Sequence, residues 1–166
     1  MKSFSPESWA DGALELIAEG GLEALKVESL ARLLGVTKGS FYWHFSSRSS
    51  LLRVALARWE RRESEVLGAD LIAITEPRAR LRRLLWRGRD RIFPRLAPSV
   101  HPAAVETLIR FRERRVALLV TCYVELGLDL TSARRWALLA YAAHAGFDHL
   151  APEDTQTATE LLLPQA

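Results

Sequence analysis

The chain has 166 residues, 49% of them hydrophobic, with a net charge of +3 and a mean hydropathy of zero, which suits a folded protein and excludes a disordered one. A single cysteine, Cys122, excludes an intramolecular disulfide and fits a reducing compartment. The first residues, MKSFSPESWADGAL, hold no apolar core of a secretory signal, and the longest uncharged apolar stretch, 116–124, is too short to span a bilayer; the expectation is a soluble, cytoplasmic protein with no membrane partner.

In chain order, helical periodicity recurs and no period-two alternation marks a strand, so the predicted fold class is all-α. Trp9, Ala10, Ala13, Leu14 and Ile17 share the face of a first helix that Ser5 caps, Pro6 opens and Gly20-Gly21 ends. Val27, Leu30, Ala31 and Leu34 form a second, short stripe that stops at Gly35. Thr37 caps a third helix running to about His44. Ser46 or Ser47 caps a long fourth helix carrying Leu51, Leu52, Ala55, Leu56 and Trp59, with a polar break expected near Gly68.

Glu76-Pro77 opens a fifth helix with Leu81, Leu85, Gly88 and Ile92 in register, ending near Pro94. Three prolines at 94, 98 and 102 predict a turn or loop. From Pro102 to Leu126 the pattern fits one helix or a broken pair. Gly127 stops it, Thr131 or Ser132 caps a helix to about Leu150, and Pro152 starts a short last helix that stops before Pro164.

The charge is uneven. Residues 1–66 carry nine basic and nine acidic side chains, 67–96 carry eight arginines against three acids, and 97–166 carry six arginines against eight acids. A basic excess is ordinarily a footprint of nucleic-acid binding. Here it lies outside the segment whose pattern best suits DNA.

That segment joins the second and third helices through Leu34-Gly35-Val36-Thr37. Ala31 is small where the helices would cross, and Gly35 sits where positive φ costs least; the pattern suggests a helix-turn-helix. On a helical wheel Phe41 and Phe45 face the core. Trp43 points about 200° away from Phe41, beside Gly39, with Ser40 and Tyr42 flanking it and Lys38 and His44 at the edges. Glycine and serine permit close approach, aromatic rings contact bases and sugars, and Tyr, His and Lys donate to phosphates; the face suits a DNA groove.

The stretch 22–56, LEALKVESLARLLGVTKGSFYWHFSSRSSLLRVAL, resembles the DNA-binding head of the TetR (tetracycline-repressor-like) transcriptional regulators. Thr37, Lys38, Gly39, Ser40, Phe41, Tyr42, His44, Phe45, Arg48, Leu51 and Leu52 all fit that pattern. The resemblance implies phosphate contacts from Lys38, Tyr42, His44 and Arg48, with Gly39, Ser40 and Trp43 against the major groove. Where the family offers Thr or Ser at the start of the second helix, this chain has Lys26-Val27, and Lys26 can reach a phosphate instead. Arg48 keeps the charge of the commoner lysine. The implied organisation is a helix-turn-helix DNA-binding domain over 1–47 and a helical ligand-binding and dimerisation domain over 48–166. The implied protein is a ligand-responsive repressor, not an enzyme, that binds a double-stranded operator as a homodimer, responds to a small-molecule effector and needs no cofactor.

For the body, Trp59, Trp86, Phe93, Phe111, Cys122 and Tyr123 are candidates for an effector pocket, or plain core. Trp136, Leu139, Ala140, Ala143 and Phe147 are candidates for a dimer interface, or intrachain core. His144 and Asp148 stand four apart but make neither a metal site nor a triad, and no metal cluster, phosphate loop or nucleophile motif is visible. The alternative function is a small helical carrier or enzyme with an incidental helix-turn-helix.

Overall fold

The computed structural model of the chain describes residues 5–85, 90–146 and 152–164. Helices joined by turns and short loops make up these residues, with no strand among them, as an all-α chain requires. The chain forms two compact units, Met1–Glu63 with Asp90–Leu108, and Ser64–Arg89 with Ile109–Ala166. The expected domain boundary at 47/48 falls at the start of the fourth helix; the compact units divide elsewhere.

In the first unit, α1 (Pro6–Gly20) begins where Ser5 accepts the Ser8 N–H at 3.4 Å and ends at Gly21, whose φ of 71° turns the chain. Its predicted stripe is buried throughout. A 3-10 turn (Leu22–Ala24) leads to α2 (Val27–Leu34), which closes at Gly35 in the left-handed conformation (φ 67°, ψ 33°). Sequence patterning gave no sign of Gly12. A Cβ there would come within 2.9 Å of Leu30 Cδ1, so at this α1–α2 approach a larger residue would make the end of that leucine shift.

The third helix, α3, is regular only over Lys38–Phe41. Beyond it the backbone tightens: Tyr42 N–H bonds Gly39 O and His44 N–H bonds Phe41 O, each three residues back, so the expected extent to His44 is met by turns. The core beneath is aromatic, with Trp9 edge-on to Phe41 at 5.6 Å and Phe41 stacked on Phe45 at 5.6 Å.

At the start of α4 (Arg48–Ala73), Ser47 and Ser50 exchange backbone N–H to Oγ bonds, each 3.1 Å, a reciprocal cap with serine in the usual place of glutamate. Leu51, Leu52, Ala55, Leu56 and Trp59 are buried as predicted. The break expected near Gly68 does not occur. One exposed-helix glycine costs only about 1 kcal/mol, and Leu67 and Leu71 on either side pack against the core of the second unit.

The expected proline loop contains a further helix, α6 (Phe93–Leu96), which packs against α1. Asp90 organises it. Its Oδ1 accepts from Ile92 N–H (2.9 Å), Phe93 N–H (3.2 Å) and the Trp59 indole (3.4 Å).

In the second unit, Glu76 caps α5 (Pro77–Leu85) through the Arg78 and Ala79 N–H groups. The predicted extension past Leu85 enters residues outside those described, and beyond them residues 90–92 are not helical: Ile92 is the N-cap of α6 and not part of α5. The Pro102–Leu126 alternative resolves as one helix, α7 (Pro102–Glu125), stopped by Gly127 at φ 95°. The next helix, α8 (Leu130–Gly146), is capped by neither Thr131 nor Ser132. Asp129 Oδ1 accepts both of their N–H groups, and the Ser132 hydroxyl, followed by these N–H bonds, holds its carboxyl below the usual range. α9 (Pro152–Leu161) follows. Leu81, Leu84 and Leu85 meet Leu119, Cys122, Tyr123 and Ala133 in the core. There the Tyr123 hydroxyl donates to Leu162 O at 2.7 Å, and burial pushes the phenol and the Cys122 thiol upward. Arg80 pairs with Glu125, and Arg82 forks onto Glu160 at 2.9 and 3.1 Å.

Candidate nucleic-acid interface

The short α3 can present side chains outward because its inward residues are few and large. Phe41 is fully buried and Phe45 nearly so, while Trp43 is 88% and Tyr42 56% exposed. The predicted division of the aromatic run therefore holds. An indole left almost wholly in water is unusual unless something covers it.

Around Trp43 the surface is built for close approach. Gly39 is exposed, and a Cβ there would meet only Thr37 Oγ1, at 3.7 Å. Ser40 Oγ donates back to Thr37 O at 2.5 Å, and Thr37, the α3 N-cap, makes no side-chain cap bond. Its hydroxyl lies 3.5 Å from Ser40 Oγ. His44 is exposed, its ring 6.5 Å from that of Trp9. Lys26, the N-cap of α2, is exposed and Val27 beside it half-buried.

Two cations are less free than the sequence suggests. Lys38 pairs with Glu28, and the pairing holds the Glu28 carboxyl below its ordinary value and the Lys38 amine above its own. Glu28, in the first turn of α2, was not among the sequence candidates. Its position two residues after Lys26 was the available signal. Arg48 is half-buried and turned into the head, where Nε donates to Leu25 O and Nη2 to Leu22 O. It ties the start of α4 to the 3-10 turn, and the two Nη1 hydrogens and the second Nη2 hydrogen remain for a phosphate. A lysine could not make that fork.

The body candidates divide between the two units. Trp59 and Phe93 belong to the core of the first unit, and Phe111, Cys122 and Tyr123 are buried in the second. Trp86 lies outside the described residues. Of the interface candidates, Trp136 and Leu139 are exposed and Ala143 half-buried. Ala140 is fully buried in its own unit, where the expected partner contact has no surface to use. Phe147, His144 and Asp148 also lie outside the described side chains. Among the described residues no group of three metal-ligating side chains occurs, and no helix is long and apolar enough to cross a membrane.

Comparison with known proteins bears on this geometry. Residues 10–55 match the family described as bacterial regulatory proteins, tetR family. Over 52 residues the chain is 38% identical to the tetracycline repressor protein class D of Escherichia coli, a match covering 31% of this chain and 24% of the repressor. Over 56 residues it is 36% identical to the transcriptional regulator AcrR of Shigella flexneri, covering 34% and 25%. The match thus spans about a quarter of the length of these curated relatives. Two solved structures share the fold. The transcriptional regulator FadR of Bacillus subtilis, in complex with stearoyl-CoA, has a TM-score of 0.69 at 17% identity, over 95% of this chain and 97% of that one. A transcriptional regulator of Rhodococcus sp. Rha1 has a TM-score of 0.68 at 24% identity, over 96% and 94%. Over residues 10–55, its helix-turn-helix segment, the chain is similar to the TetR family of bacterial regulatory proteins.

Proposed function

We propose that the protein is a DNA-binding transcriptional regulator that docks α3 in the major groove of an operator. The observation that carries the reading is the outward face of α3, where an almost fully exposed Trp43 stands beside Gly39 and Tyr42 on a rigid aromatic core. Tyr42, His44, Lys38 and Lys26 are the phosphate donors; Gly39, Ser40 and Trp43 approach the bases, and Thr37 and Val27 lie at the helix starts that flank them. Arg48 adds only the guanidinium hydrogens that its two carbonyl bonds leave over.

The head is a single short reading helix, so affinity is expected from two copies on half-sites about 34 Å apart. Exposed Trp136 and Leu139 on α8 support a homodimer through that helix. The tetracycline repressors among the relatives support repression, and a structural neighbour holding stearoyl-CoA supports a small-molecule effector for the 48–166 body. Such an effector releases DNA only by binding the non-DNA conformation more tightly. Regulation in the cytoplasm, rather than catalysis, is the reading that the tetracycline repressors and regulators among the relatives support.

The test is an anisotropy titration of the protein against the promoter region beside its own gene, over a salt series. Salt-sensitive, sequence-preferring binding by a dimer is expected. The same weak binding to every duplex at low salt would overturn the proposal.

A further inference from the structure

A cleft of about 610 Å³ lies within the first unit, walled by the end of α1, the 3-10 turn, the start of α4 and the α6–α7 connection. That volume is in the range of small-molecule sites. The chain approaches itself closely at its floor: a Cβ on Gly21, which has φ +71°, would lie 3.9 Å from Arg95 O. No residue named above as a DNA contact lines it except Arg48.

The wall carries uncommitted donors. Arg95 is exposed and makes no ion pair or side-chain hydrogen bond among the described residues. Arg48 has Nη1 left after its two carbonyl bonds. His101 uses Nδ1 to accept the Ala103 N–H at 3.2 Å, capping α7, so a neutral ring carries its proton on Nε2 as a further donor. The N-terminal end of the 24-residue α7 adds positive potential at the same wall. Against these stands one carboxylate, Glu23, so two fixed positive charges face one negative charge.

The rest of the lining is apolar. Leu22 is buried at the base, and Pro98 and Val100 form the rim. Val100 is 92% exposed, an aliphatic side chain for which the fold itself supplies no cover. A ligand meeting both features has one negative head and a short apolar tail.

We propose that this cleft is a binding site for a small organic monocarboxylate, its carboxylate held by Arg95, His101 Nε2 and Arg48 Nη1 and its tail laid against Val100 and Pro98. The site is separate from the effector candidates of the 48–166 core and does not depend on the operator reading. Because it engages Arg48, its occupancy competes for the guanidinium donors that residue can offer to DNA.

The experiment is isothermal titration calorimetry of the full chain, without DNA, using hexanoate, hexanamide and hexylamine as probes. Hexanoate should bind saturably at one site per chain, hexanamide about tenfold more weakly for want of the charge, and hexylamine not at all. Arg95→Gln should weaken hexanoate about tenfold, Val100→Asp should abolish binding, and Arg53→Gln, an exposed change elsewhere on the same unit, should leave it unaltered. Absence of saturable binding would overturn the proposal. So would equal affinity for acid and amide, or wild-type affinity in both Arg95→Gln and Val100→Asp. Since no DNA is present, failure here is distinct from failure to bind an operator.

Discussion

Glu28, in the first turn of α2, holds Lys38, in the first turn of α3, in an ion pair across the helix-turn-helix. Both side chains are more than half exposed, so the pair is a surface contact that contributes little to folding. Its position matters more. Lys38 must leave Glu28 to reach a phosphate, and Glu28 then stands as a carboxylate near a polyanion. Glu28→Gln is therefore expected to tighten binding a few-fold on both operator and random duplexes, most at low salt. Anisotropy titrations on the two duplexes check this. Weaker operator binding with random DNA unchanged would instead assign Glu28 to base reading, where a carboxylate accepts from cytosine.

Tyr42 and Trp43 are neighbours with different expected signatures. Tyr42 packs edge-on to Phe41 at 5.1 Å, which fixes where its hydroxyl stands. Tyr42→Phe keeps that packing and removes one donor, so every duplex should lose about 1 kcal/mol alike. Trp43 has almost no support from its own chain, so Trp43→Ala removes contact with DNA and little else. Its losses should differ between operator variants. Equal losses on every variant would remove Trp43 from sequence reading.

These residues show where the sequence was legible. The stripes of α1, α2 and α4, the glycine stops at 21, 35 and 127, and the inward or outward sense of residues 41–45 follow from local periodicity and sterics, which act over a few residues. The Arg48 fork on Leu22 and Leu25, the Asp90 bond to Trp59 and the Gly12 approach to Leu30 join positions far apart in the chain, so no local pattern announces them. Asp129 and α6 are different. Both were within reach of local reading, but Asp129 was passed over for the hydroxyl residues after it, and three prolines masked a single helical turn.

Asp11 offers a pH test of the head. Arg58 forks onto its carboxylate at 2.6 and 3.0 Å and Arg62 adds a contact at 2.7 Å, tying α1 to α4. The Arg58 bonds are the chief cause holding its pKa below the ordinary 3.8, against a partial desolvation that acts the other way. A depressed carboxyl contributes stability that is complete above its ordinary value and is lost as pH falls through the folded one. Asp11→Asn should lower Tm by a few degrees at neutral pH, a modest effect because the group is partly exposed and screened. Urea midpoints for the two proteins should converge as the pH falls below the ordinary carboxyl value and through the folded one. A gap that persists undiminished in acid would show that the asparagine costs packing rather than charge.

On α8, neighbouring positions separate association from folding. Leu139 is 54% exposed, whereas Ala140 is fully buried against its own unit. If two copies join through this helix, Leu139→Arg places a charge in an apolar contact and should weaken the dimer by about 2 kcal/mol or more. The chain itself should unfold at an unchanged urea concentration when compared as a monomer, because an exposed substitution removes little intrachain contact. Ala140→Val does the reverse. Two added methyl groups in a filled core should cost about 1–3 kcal/mol of folding stability and leave the dimer constant of the folded fraction unaltered. Sedimentation equilibrium gives the first quantity and denaturation the second. A Leu139→Arg protein that associates as the parent does would remove this face of α8 from the interface, whatever happens to its stability.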